Sequence, residues 1–97
     1  MTALMISTIK VTDPEQFQTY MRKTQDVARP YGAKMLFRGR CSATLNGGAT
    51  NGDVVVVVSF PDIETLKRWN ASPEYQSLVA LRDASSEQVM TAYRSAD

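Results

Sequence analysis

The chain has 97 residues, with Lys+Arg 11 against Asp+Glu 10 and a net charge of +1. At that length one domain over residues 1–97 is expected, and a monomer buries only roughly 60–65% of the surface its unfolded chain exposes, so self-association is a common supplement. Balanced charge without any basic run excludes an electrostatic footprint for nucleic acid, and the absence of histidine excludes imidazole bases, Ser-His or Cys-His nucleophiles and His ligands for haem or metal.

In chain order, the start Met1-Thr-Ala-Leu-Met-Ile-Ser7 lacks the charged and long apolar regions of a signal peptide. Leu4–Val11, rich in β-branched residues, predicts a first strand. Thr12-Asp-Pro-Glu15 predicts a helix start, with either Asp13 as N-cap ahead of Pro14 or a Thr12/Glu15 capping box. Phe17, Tyr20, Met21, Thr24, Val27 and Ala28 then recur on one helical face, and Pro30 and Gly32 mark its end. Lys34–Arg38 reads as a second strand, resumed after Gly39 as Cys41–Leu45 with a bulge or bend at the glycine. Asn46–Asp53 reads as a mobile, glycine-rich hairpin loop, since its glycines lack phosphate-loop spacing and a strand follows.

The strand after it, Asp53-Val-Val-Val-Val-Val-Ser-Phe60, is the longest apolar run and organises the rest. Five consecutive valines favour extended backbone and present apolar side chains to both faces of a sheet, which marks a central strand. Asp62 predicts the cap of a second helix burying Ile63, Leu66 and Trp69. Ser72-Pro-Glu74 restarts that helix, with Tyr75, Leu78, Val79 and Arg82 on its inner face. Ser86–Arg94 alternates as a last strand.

The order β-α-β-β-α-β predicts an α+β, ferredoxin-like antiparallel sheet with spatial order 4-1-3-2 and helices on one face only. The uncovered face would expose an apolar patch, for which a second copy, sheet against sheet, is the natural cover. On this reading Val56 belongs to the uncovered face, and Val56→Asp would break a dimer.

Several of these residues form a pattern. Asp13-Pro-Glu15 with Tyr20, Tyr31-Gly32, Arg38-Gly39, Phe60-Pro61, Trp69, Ser72-Pro-Glu-Tyr-Gln76 and Arg82 together resemble the bacterial domain-of-unknown-function family numbered thirteen-thirty, within the dimeric α/β-barrel superfamily. The match runs from about Ile6 to Val89 in order and spacing. The resemblance implies a ferredoxin-like fold and a homodimeric barrel, but no established activity. Superfamily members include cofactor-free monooxygenases, isomerases and cyclases acting on small aromatic or polyketide-like molecules. Haem-degrading members usually use an axial histidine, which this chain lacks. It departs from the pattern at Gly32-Ala33, at Asp53, and in the glycine-rich Asn46–Gly52 connection, whose contacts are not transferable.

A pocket in such a fold lies between the helices and the concave sheet face. Around it Tyr20 and Tyr75 are candidate proton donors, Arg38 and Arg82 candidate partners of a carboxylate or enolate, and Trp69 an apolar wall. The opposing reading makes the aromatics core residues and pairs Arg82 with Glu74, Asp83 or an acid of a second subunit. If so, Arg82→Ala would leave a buried acid unpaired, at a cost of roughly 3–5 kcal/mol. Asp13 and Asp62 sit where caps belong. Cys41, the sole cysteine, excludes an internal disulfide and fits a reducing compartment. The functional expectation is a cytoplasmic, cofactor-independent small-molecule enzyme or enzyme-like binder for a small anionic or aromatic metabolite. It uses no cofactor, metal, nucleic acid or membrane. The alternative is a non-catalytic, ligand-sensing or accessory homodimer with structural arginines and tyrosines.

Overall fold

In a computed structural model, which describes residues 2–96, the elements follow the order expected. They are β1 (Ala3–Val11), α1 (Pro14–Ala28), a 3-10 turn (Arg29–Tyr31), β2 (Lys34–Arg40), β3 (Val54–Phe60), α2 (Ile63–Ala71), α3 (Pro73–Gln76), α4 (Val79–Ser85) and β4 (Ser86–Arg94). The four strands form one antiparallel sheet in the order β2-β3-β1-β4, which is the predicted 4-1-3-2 read from the other edge. The α+β, ferredoxin-like fold is therefore the one the sequence implies.

Local chemistry accounts for the helix boundaries. Asp13, not Thr12, caps α1: one carboxylate oxygen accepts from the Gln16 backbone N–H at 3.2 Å and the other from the Gln16 side-chain amide at 3.0 Å. The 3-10 turn closes on Gly32, whose φ of 75° is left-handed and whose missing Cβ leaves room for Pro61. Asp62 caps α2 through Thr65, and these hydrogen bonds hold its carboxyl below the ordinary range. Ser72 joins α2 to α3 from both sides. Its hydroxyl donates to the Trp69 carbonyl at 2.7 Å and accepts the Tyr75 N–H at 3.2 Å. The second helical region breaks again at Ser77-Leu78, so Tyr75 and Arg82 lie on separate short helices.

Side chains of even number in β3 and odd number in β1 face the helices. Met5, Ile9, Val54, Val56 and Phe60 pack there on Phe17, Tyr20, Leu66, Trp69 and Tyr75. Val56 is thus a core residue at 3% exposure, which corrects its assignment to the uncovered face. An unbroken valine run carries no alternation from which to read its phase.

The opposite face carries Leu4, Ile6, Val55 and Val57, flanked by Phe37 of β2 and by Val89 and Tyr93 of β4. Phe37, Val89 and Tyr93 are each half exposed or more. Strand β2 ends at Arg40, so Cys41–Leu45 does not resume it. Its irregularity falls between Met35 and Phe37, not at Gly39. Gly39 stays in register opposite Val55, and the Phe37 ring occupies the space where its Cβ would lie. The end of the loop into β3 is tied down: the Asn51 amide donates to the carbonyls of Thr8 at 2.9 Å and Glu87 at 3.0 Å. Gly52, with φ of 68°, lies against the backbone of Ile9 and Lys10 too closely for any Cβ.

Candidate functional site

A cavity of about 200 Å³ lies between α1 and the helix-facing side of the sheet. Its wall is mostly apolar, with Met21, Met35, Val56, Val58 and Phe60 among the lining residues, and none of the lining residues is acidic. The polar groups on it are few, including Ser7, Tyr20, Thr24, Gln88 and the indole of Trp69, with Arg29 completing the wall.

Trp69 is 1% exposed and its indole N–H has no hydrogen-bond partner; the Thr24 hydroxyl is likewise buried without one. A buried donor left unpaired costs about 1–3 kcal/mol, and both of these buried groups belong to residues that line the cavity. Phe60 and Tyr75 hold the indole in place, with ring centroids 5.2 and 4.4 Å from it.

Tyr20 heads a hydrogen-bonded chain behind the wall. Its hydroxyl lies 2.8 Å from that of Tyr75, although 55 residues separate them in sequence. The Arg82 guanidinium donates to the Tyr75 oxygen at 3.2 Å and, through Nε, to the Asp83 carboxylate at 3.0 Å. The Met90 sulfur receives the outer contacts, at 3.4 Å from the Tyr75 hydroxyl and 3.6 Å from Arg82. An arginine that donates to Tyr75 leaves the Tyr75 proton free to be given away. The two phenols share one hydrogen bond, in which either oxygen can be the donor. Arg82, Tyr75 and Tyr20 thus form one hydrogen-bonded series that ends at the Tyr20 hydroxyl.

Electrostatics keep Tyr20 neutral. Burial raises its pKa well above the ordinary phenol value, and the neighbouring Tyr75 raises it further. Thr24 and Arg82 pull weakly the other way, Thr24 by proximity without a hydrogen bond of good geometry. For Arg82, burial alone would lower the pKa, but the hydrogen bonds to Asp83 and Tyr75 outweigh it and the guanidinium stays charged.

Four of the five predicted site residues are thus brought together: Tyr20, Trp69, Tyr75 and Arg82. Only Tyr20 and Trp69 line the cavity; Tyr75 and Arg82 stand behind them. Arg38 is apart, its guanidinium 6.0 Å from the centroid of the Phe17 ring in a different cleft. The acid beside Arg82 is Asp83, whose side chain is 64% exposed. Arg82→Ala therefore leaves no buried acid behind, and the larger destabilisation expected from the sequence does not apply. Thr24, Ser7 and Gln88 were missed as wall residues. Thr24 was legible as a polar residue within the apolar stripe of the first helix; Ser7 and Gln88 gave no local signal. Among the described residues no three His, Cys, Asp or Glu side chains gather as a metal site, and no helix is long and apolar enough to cross a membrane.

The family model described as "Domain of unknown function (DUF1330)" matches residues 2–95, and the chain belongs to that family. No curated protein matches it. A protein of unknown function from Rhodopseudomonas palustris superposes with a TM-score of 0.81 at 17% identity, over 99% of this chain and 83% of that one. A dimeric ferredoxin-like protein of unknown function from Jannaschia sp. CCS1 gives 0.75 at 10% identity, over 98% and 100%. SnoaB, a cofactor-independent oxygenase from Streptomyces nogalater, gives 0.71 at 12% identity, over 99% and 94%. At these identities the likeness is one of fold.

Proposed function

We propose that this member of the family is a homodimeric, cofactor-independent enzyme or enzyme-like binder that holds a small aromatic or polyketide-like phenol, enol or β-dicarbonyl compound in the α1–sheet cavity. The single observation that carries the reading is that Trp69, whose buried indole N–H is unpaired, lines the same cavity as Tyr20, which Tyr75 joins to the Arg82 guanidinium. Two donors in an apolar, low-dielectric site favour a ligand oxygen that carries negative charge. A dry cavity of about 150 Å³ accepts benzene, so about 200 Å³ suits a body of one or two rings.

The chemistry available is one-sided. With no carboxylate and no imidazole on the wall, the cavity stabilises an anion but has no strong base to create one. The ligand must be acidic enough to lose its proton to water or buffer. Such an ionised ring or enolate is electron-rich by itself, which is how a site without cofactor can support a reaction of its substrate. Arg82 acts through Tyr75 and Tyr20, not by pairing the ligand. Dimerisation through the open sheet face is supported by the apolar side chains there and by the dimeric description of the Jannaschia neighbour.

The test uses 4-nitrophenol and a panel of β-keto acids, quinones and carboxylates, with the wild type beside Trp69→Phe and Tyr20→Phe. The wild type is expected to bind the phenol as its coloured anion at a pH where the free phenol is largely neutral, and each variant to lose that shift. Binding of the phenol in its neutral form, or an equal shift in all three proteins, would overturn the reading. Anion binding without turnover of any panel compound would assign the site to the ligand-sensing alternative.

A further inference from the structure

A second cleft, of about 540 Å³, opens at the N-terminal end of α1, whereas the cavity lies toward its C-terminal half. The ends of β1 and β2, the start of β3 and the first turn of α1 surround it. Three cations, Lys10, Arg38 and Arg40, line it against one carboxylate, Asp53. Two of the cations are already engaged: Arg40 pairs with Asp53 at 3.1 Å, and Lys10 pairs with Glu87 at 3.6 Å. Arg38 has no carboxylate within ion-pair distance among the described residues. It lies instead over the face of Phe17, a buried ring held by its stack on Tyr20 at 6.2 Å between centroids. Val11 and Pro14 add accessible apolar surface beside that ring, and Val54 lies buried beneath.

We propose that this cleft is a second ligand site, for a singly charged organic acid with a flat apolar body. One uncompensated guanidinium calls for one negative charge, and its planar fork matches a carboxylate with two parallel hydrogen bonds. The partly exposed Val11, Pro14 and the aliphatic stems of Lys10, Arg38 and Arg40 take the apolar body, over a floor of buried Phe17 and Val54, a surface that a bare inorganic anion could not use. The site is built from exposed charges on secondary structure and does not depend on the cavity behind Tyr20.

The experiment is an amide chemical-shift titration with 2-naphthoate, with 2-naphthalenemethanol as the neutral counterpart and inorganic phosphate as the compact anion. Naphthoate is expected to move the amides of Lys10, Phe17, Arg38 to Arg40 and Val54. Arg38→Gln should weaken that binding at least tenfold, and raising the ionic strength should weaken it in the wild type. Because Arg38 is exposed, Arg38→Gln folds normally, and Trp69→Phe should leave the cleft titration unchanged. Three outcomes would overturn the proposal: equal binding by Arg38→Gln, equal binding of the neutral alcohol or of phosphate, or shifts confined to the cavity residues Thr24, Val58 and Trp69.

Discussion

Val56 and Val57 are the same residue, one position apart in the same strand, on opposite faces of the sheet. Val56 faces α1 and the aromatic cluster, while Val57 pairs with Ile6 and Phe37 on the uncovered face. The covered face is finished within one chain: aromatic rings fill it, and the polar atoms left over mark a cavity. The uncovered face is not finished. It pairs backbone with backbone but leaves Phe37 at 56% exposure, with Val89 and Tyr93 close to that. The contrast teaches that strand composition sets how much apolar surface a strand offers, while its phase sets what each valine is for.

The largest expected effect separates the two faces directly. Val56→Asp places a carboxylate in the core, and the several kcal/mol this costs consumes most of a small domain's stability of about 5–15 kcal/mol. The variant is expected to be unfolded by circular dichroism. Val57→Asp should remain folded and shift the sedimentation profile from dimer to monomer. A folded Val56→Asp protein, or a Val57→Asp protein that stays dimeric, would break the comparison.

Trp69→Ala comes next. It removes the largest fully buried side chain, and denaturant unfolding should register a loss of about 3–5 kcal/mol. Trp69→Phe keeps most of the packing and deletes an unpaired donor, so it should cost far less. Arg82→Ala loses an ion pair to the exposed Asp83 and one hydrogen bond to Tyr75, for about 1–2 kcal/mol. Ser72→Ala removes the cap that joins α2 to α3 and should cost about 1 kcal/mol, a smaller change on the same face.

The finest distinction is in pH. Tyr20 has a folded-state pKa raised above its unfolded value of about 10. Its contribution to stability is complete below that pH. Above it the unfolded chain loses a proton that the folded chain keeps, so stability falls as pH rises toward the folded pKa. Melting temperatures of the wild type should therefore decline more steeply above about pH 10 than those of Tyr20→Phe. Parallel curves would mean that Tyr20 ionises as an ordinary exposed phenol.

The sequence by itself determined the element order, the sheet topology, the caps at Asp62 and Ser72, and the family, and narrowed the first cap to Asp13 or Thr12. These rest on rules that act over a few residues: a cap carboxylate reaches three residues ahead, a proline fixes its own φ, and a valine run cannot be helical at low cost. It also picked out Tyr20, Trp69, Tyr75 and Arg82 as a group. Only the tertiary structure decided that two of them form the wall and two the support behind it. Tyr20 and Tyr75 meet because the packing of α1 beside α3 fixes the rotation of each helix, which no local pattern records. The same holds for Arg38, placed by the end of β2 beside Phe17 and away from the cavity. It holds for Asn51, whose amide reaches β1 and β4 across the sheet from within a loop that read as mobile. Val56 was misassigned because five identical side chains hide the period of two that tells one face of a strand from the other.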